Sequence, residues 1–130
     1  METSKQMQFL ELYRMVMANG IAHPKEMETL YRIGLEKYGL TNEIIGKTIS
    51  LGGSSTIIPK LLEERIQILY EMALIAWADG IIEESEQNLL RRYALMYGIK
   101  EERIENLIKF LFSKARENAN EDEVIKSLGK

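Results

Sequence analysis

An internal repeat constrains the fold of this chain more than any other feature of its sequence. When the sequence is shifted by 60 residues, segment 9–37 aligns without gaps with segment 69–97, and eight of the 29 positions are identical. A repeat of this length is one supersecondary unit that cannot bury its apolar face alone, so the two copies are expected to pack together. The identical pairs are Glu11/Glu71, Ala18/Ala78, Gly20/Gly80, Ile21/Ile81, Glu26/Glu86, Leu30/Leu90, Arg32/Arg92 and Leu35/Leu95.

Apolar residues recur with helical spacing along almost the whole chain, and no useful length alternates with the period of a strand. The predicted fold class is therefore all-α. Thr41 is predicted to cap the third helix, and Pro59 suits the first position of the fourth. Seven helices are expected. The fourth should run from Pro59 to about Asp79, and the apolar positions of the other six fall within residues 9–16, 27–38, 44–49, 90–97, 104–111 and 124–128.

Each copy of the repeat turns sharply at a glycine. Gly20 and Gly80 each follow a helix and precede an isoleucine, which is typical of a helix ended by a glycine in the left-handed region. A new helix then opens, with Pro24 suited to its first position and with Glu26 and Glu86 near the third. A carboxylate at that position can accept hydrogen bonds from free backbone N–H groups. Each copy is thus predicted as helix, tight turn, helix, glycine stop, helix.

The predicted organisation is a single domain over residues 1–130. Its two halves cover about 5–50 and 59–114, and the LGGSST segment within 51–58 is interpreted as the linker between them. Each half has roughly fifty to sixty residues, too few to bury its apolar faces alone. We therefore expect about seven helices in two related helix-turn-helix repeats, packed as one bundle.

Composition excludes several classes of function. The chain has no cysteine and one histidine, which excludes thiolate metal sites and disfavours histidine-based zinc sites and catalytic triads. Its net charge of −3 gives no overall basic field for nucleic acid. The longest apolar run is too short to cross a bilayer, and the first residues lack the apolar core of a signal peptide, so a cytoplasmic protein is expected. Peripheral membrane association stays open. No nucleophile–base pair or cofactor loop is visible, so no enzymatic activity is expected.

The second turn carries a dense group of acidic residues. Asp79, Glu83, Glu84 and Glu86 place four carboxylates within eight residues, and Glu71 lies two helical turns before Asp79 on the same face. Carboxylate oxygens suit hard cations such as calcium or magnesium. The alternative interpretation is a solvated acidic corner in which one glutamate caps a helix.

The segment ALIAWADGIIEESEQNLLRRYALMYGI resembles the TerB-like family, named for bacterial tellurite resistance, and the N-terminal domain of the DjlA co-chaperones. The shared pattern is an apolar helix ending in ADG, an isoleucine two residues on, an acidic helix start and a glycine-stopped helix. The resemblance is good over 69–99 and weaker over 9–40. It implies an all-helical, non-enzymatic cytoplasmic interaction module linked to stress or tellurite response, with an unidentified protein partner. The acidic net charge independently predicts that no nucleic acid binds.

The resemblance also implies a metal site. Acidic residues shared by the family have been proposed to bind metal, and the matching positions here are Asp79 and Glu86, with Asn19 and Glu26 as counterparts in the first copy. Calcium and magnesium are the candidate ions. Two departures reduce the acidic charge, because Asn19 replaces the aspartate of the motif and His23 stands where the second copy has a glutamate. Divalent-cation binding at Asp79 and Glu86 is therefore the alternative function to the interaction module.

Overall fold

The computed structural model describes residues 4–18, 23–51 and 58–128, and this part of the chain is an all-α bundle without strands. The predicted turn at Gly20 and the linker residues 52–57 lie outside it. None of the described helices is long and apolar enough to cross a membrane. The seven predicted helices are present as α1 (Ser4–Val16), α2 (Pro24–Glu36), α3 (Asn42–Leu51), α4 (Leu62–Trp77), α5 (Glu84–Met96), α6 (Glu101–Arg116) and α7 (Glu121–Leu128).

Helix α4 forms the centre of the bundle. Its last two turns are apolar around the whole circumference, and Met72, Ala73, Ile75 and Ala76 have no exposed surface. The helix packs against α1, α2, α5, α6 and α7. One apolar core therefore includes residues from both sides of the linker.

The structure confirms one predicted helix start and contradicts another. The cap at Thr41 is confirmed, since its Oγ1 accepts a hydrogen bond from the backbone N–H three residues later at 3.1 Å. The prediction that Pro59 is the first residue of α4 is wrong, because this helix begins at Leu62. The carbonyl of Pro59 accepts a hydrogen bond from Arg65 Nε at 2.6 Å instead. A side chain from the first turn of α4 thus holds Pro59 outside the helix.

Glycines in the left-handed region end three of the helices. The prediction for Gly80 is confirmed, with φ at +82°, and Gly39 and Gly98 have φ of +66° and +88°. After Gly98, the N–H of Ile99 donates to the carbonyl of Ala94 at 3.0 Å, which satisfies an end carbonyl of α5. These turns direct α3 and α6 back across the bundle.

Helices α2 and α5 occupy corresponding stretches of the chain, and their bounds differ by sixty residues at both ends. Pro24 begins α2, as predicted, and Glu84 begins α5. Glu26 and Glu86 are consequently the third residues of their helices, and both are buried. The two-repeat organisation stays a prediction, but this register places the two acidic residues at matching helix starts.

Candidate functional site

Glu26 and Glu86 are each the third residue of a helix, but only Glu86 accepts a backbone hydrogen bond there. A glutamate at the third helical residue lies close to the unpaired N–H groups of the helix start. Oε1 of Glu86 accepts the backbone N–H of Glu83 at 2.8 Å, as the sequence predicted. Within the described part of the chain, no N–H or hydroxyl group donates to either oxygen of Glu26 or to Oε2 of Glu86. These three buried carboxyl oxygens thus have no donor other than the carboxyl group of the paired glutamate.

The two carboxyls interact with each other, and this changes the ionisation of Glu26. Burial is the largest cause, followed by hydrogen bonding to Glu86, repulsion from its charge, and weaker repulsion from Asp79 and Glu83; together they raise the pKa of Glu26 to about 9. Two ionised carboxylates have no donor to share, so the pair hydrogen-bonds only while one member keeps a proton. The raised pKa of Glu26 means that the pair keeps a proton to higher pH than an ordinary glutamate does.

His23 lies between the two outer acidic residues of the site. Its Nδ1 is 3.8 Å from Oδ2 of Asp79, and its Nε2 is 3.9 Å from Oε1 of Glu83. Asp79 also accepts the backbone N–H of Ile81 through Oδ1 at 3.1 Å. His23 is the N-cap residue of α2, but its side chain makes no capping bond. In the sequence, the shift of sixty residues pairs His23 with Glu83, which indicates a loss of acidic charge at this position.

The structure brings three of the four predicted metal-site residues into one neighbourhood. Glu26 and Glu86 form the buried pair, and Asp79 is near enough to raise the pKa of Glu26. Asn19 lies outside the described residues. Among the residues described, no group of three His, Asp or Glu side chains has an arrangement that could hold a metal ion as it stands. Cation binding would therefore require side-chain rotation.

Two other acidic residues from the sequence analysis lie apart from this pair. Glu84 is exposed. Glu71 is fully buried, accepts the hydroxyl of Tyr38 at 2.7 Å and accepts Nε2 of Gln67 at 3.3 Å. Burial, and after it the charge of Glu121 on α7, raise the pKa of Glu71 to about 8 against the opposing effects of its two hydrogen bonds and of Lys37. Glu71 therefore joins α4 to the end of α2 instead of extending the acidic corner.

No protein-family model, curated protein or solved structure matches this chain. The fold and the site define an all-α bundle whose second and fifth helices begin with a pair of buried, interacting glutamates. The resemblance to the TerB-like family continues to depend on the ADG motif and the residues that follow it.

Proposed function

We propose that this protein is a non-enzymatic helical module of TerB-like type that binds a divalent cation at the corner between α2 and α5. The observation that carries this proposal is the buried pair of Glu26 and Glu86, in which three of four oxygens accept no N–H or hydroxyl group of the described chain. A buried carboxyl pair is stable only when a proton or a cation compensates its charge. The resemblance independently implicates both residues.

The donor set favours calcium over magnesium. Calcium accepts six to eight oxygen ligands in flexible geometry, whereas magnesium requires a nearly ideal octahedron. Glu26 and Glu86 offer carboxyl oxygens from two different helices. Asp79 and Glu83 can supply further oxygens by turning away from His23, whose ring nitrogens lie 3.8 and 3.9 Å from them. A site that forms by such rotation fits the larger and more tolerant ion.

The wider role in this proposal depends on the resemblance alone. It would make the protein a cytoplasmic interaction module in a stress or tellurite response, with a protein partner that recognises the helical surface. A cation held by residues at the starts of α2 and α5 would fix these two helices relative to each other. Cation binding would thereby stabilise the surface that the partner contacts.

Thermal unfolding with added calcium or magnesium chloride tests the cation site. We expect millimolar calcium to raise the Tm of the wild type and magnesium to raise it less. A cation at about 100 times its Kd adds about 2.7 kcal/mol to the free energy of unfolding. Asp79→Asn and Glu86→Gln should lose most of this gain. Each keeps an oxygen that can accept its present backbone hydrogen bond, from Ile81 and Glu83 respectively.

Glu102→Gln is the matched control, because Glu102 is an exposed glutamate on α6. This variant should keep the full response to calcium. A wild-type protein whose Tm does not change at millimolar calcium or magnesium would overturn the cation-binding proposal. An equal loss of response in Glu102→Gln would attribute the effect to general charge screening and would overturn it as well.

A further inference from the structure

A cavity of about 330 Å³ lies between α2, the end of α4 and the end of α6. We call it the Trp77 pocket. Leu74 and Trp77 line it with half-buried side chains. Lys25, Arg32 and Arg116 line it with exposed side chains. Three cationic side chains from two helices thus surround an opening that has an aromatic ring in its wall.

The three cations of the Trp77 pocket make no ion pair with any described residue. Glu28 also lines the pocket, three residues after Lys25 and four before Arg32. Helix ion pairs form at these spacings, yet neither one forms here. In a chain of net charge −3, these three cations and one carboxylate give the opening a local positive charge that attracts anions.

The ring of Trp77 orients one of these cations. The guanidinium carbon of Arg116 lies 5.3 Å from the centroid of the ring, within the range of a cation–π interaction. A guanidinium held in this way presents a planar set of N–H donors, which matches two oxygens of a phosphate. Lys25, in the first turn of α2, adds a second cationic side chain from a different helix.

We propose that the Trp77 pocket binds a small organic phosphate. The phosphate interacts with Lys25, Arg32 and Arg116, and the organic group packs against Trp77. The cavity volume is at the lower end of the range for small-molecule sites, which suits a phosphomonoester with one ring better than a large cofactor. This site is independent of the acidic corner, since none of its three cations belongs to that corner.

Trp77 is the one tryptophan of the chain, so intrinsic fluorescence reports directly on this pocket. The experiment titrates the full-length protein with phenyl phosphate, inorganic phosphate and phenol at constant ionic strength. We expect a saturable change with phenyl phosphate, weaker binding of inorganic phosphate, and no saturation with phenol. The Kd for phenyl phosphate should rise about tenfold in Arg32→Gln, since one charge-assisted hydrogen bond is lost.

Arg103→Gln is the matched control, because Arg103 is an exposed arginine of α6 that does not line the pocket. It should bind phenyl phosphate as the wild type does. Circular dichroism establishes that both variants are folded before the titration. The proposal is overturned if phenyl phosphate causes no saturable change at millimolar concentration, if sodium chloride alone reproduces the change, or if Arg32→Gln keeps the wild-type Kd.

Discussion

At the scale of single residues, the described part of the chain buries four glutamates that use different partners. Glu11, Glu26, Glu71 and Glu86 are each at most 1% exposed. Glu11 forms an ion pair with an arginine, Glu71 accepts a tyrosine hydroxyl, and Glu86 accepts a backbone N–H. Glu26 is different, because no N–H or hydroxyl group donates to it and its raised pKa favours the protonated form. Under the cation-binding proposal, a cation would take the place of that proton.

The replacement of Glu71 by glutamine should flatten the dependence of stability on pH. Its pKa is raised from 4.5 to about 8 in the folded protein. Between these values the unfolded chain releases a proton that the folded chain keeps, so the free energy of unfolding falls as pH rises, by up to about 1.4 kcal/mol per pH unit. Glu71→Gln removes this contribution and can still accept the hydroxyl of Tyr38. Urea midpoints between about pH 5 and pH 8 measure the effect.

Glu63→Gln serves as the control, because Glu63 is an exposed glutamate on the same helix. Glu26 contributes the same sign of pH dependence to all three proteins, so the difference between wild type and Glu71→Gln isolates Glu71. Parallel pH profiles of these two proteins would contradict the prediction. If Glu63→Gln reduced the pH dependence of the free energy of unfolding as much as Glu71→Gln, that result would also contradict the prediction.

Part of the candidate site could be predicted from the sequence, because the residues that begin the two equivalent helices are recognisable from their local chemistry. The repeat and the ADG motif identified Glu26, Glu86 and Asp79. They did not reveal that Glu86 bonds a backbone N–H while Glu26 does not, or that His23 lies between Asp79 and Glu83. These contacts depend on how α2 docks beside the turn between α4 and α5. Residues sixty positions apart in sequence give no local signal of that geometry.

At the scale of helices, α2 packs so closely against its neighbours that glycine is required at one position. A Cβ added at Gly34 would lie 2.7 Å from Cε1 of Phe9 on α1 and 3.0 Å from Cδ1 of Ile45 on α3. Gly46, in the middle of α3, would meet no atom within 4 Å. Gly34 therefore permits close packing between helices, whereas no close packing depends on Gly46.

Alanine substitution should separate these two glycines. Alanine favours a helix over glycine by about 1 kcal/mol, so Gly46→Ala should raise the free energy of unfolding by up to that amount. Gly34→Ala should lower it by about 1–3 kcal/mol, because Phe9 and Ile45 must move to admit the new methyl group. Urea unfolding of both variants measures the difference. Equal changes of the same sign would show that close packing at Gly34 is unimportant.

The sequence predicted the helices well because the periodicity of apolar residues is a local property. It failed at the start of α4, where Pro59 suits a first helical position but lies before the helix. Arg65 donates to the carbonyl of Pro59 and also to the carbonyl of Tyr97, which follows α5. A contact between residues 32 positions apart therefore fixes this boundary, and no neighbouring residue indicates it.

At the scale of the whole molecule, the apolar core spans both predicted halves. Phe9, Leu12 and Leu30 come from the first half, Leu69 and Met72 come from the second, and none has any exposed surface. The central helix α4 belongs to the second half but packs against α1 and α2 of the first. Separating the halves would expose one face of α4 together with the apolar faces of α1 and α2. Much of the burial of α1 and α2 is thus supplied by α4 of the other half.

Fragments 1–53 and 54–130 should therefore fold poorly when each is expressed alone. Each loses the partner surface of α4 or of α1 and α2, and we expect reduced helicity by circular dichroism and aggregation in gel filtration. An equimolar mixture should recover helicity and unfold cooperatively, because the fragments together restore the core. Either fragment unfolding cooperatively as a monomer would show two independent cores and would contradict the single-domain prediction. Recovery in the mixture alone would establish that the chain folds around α4 as one unit.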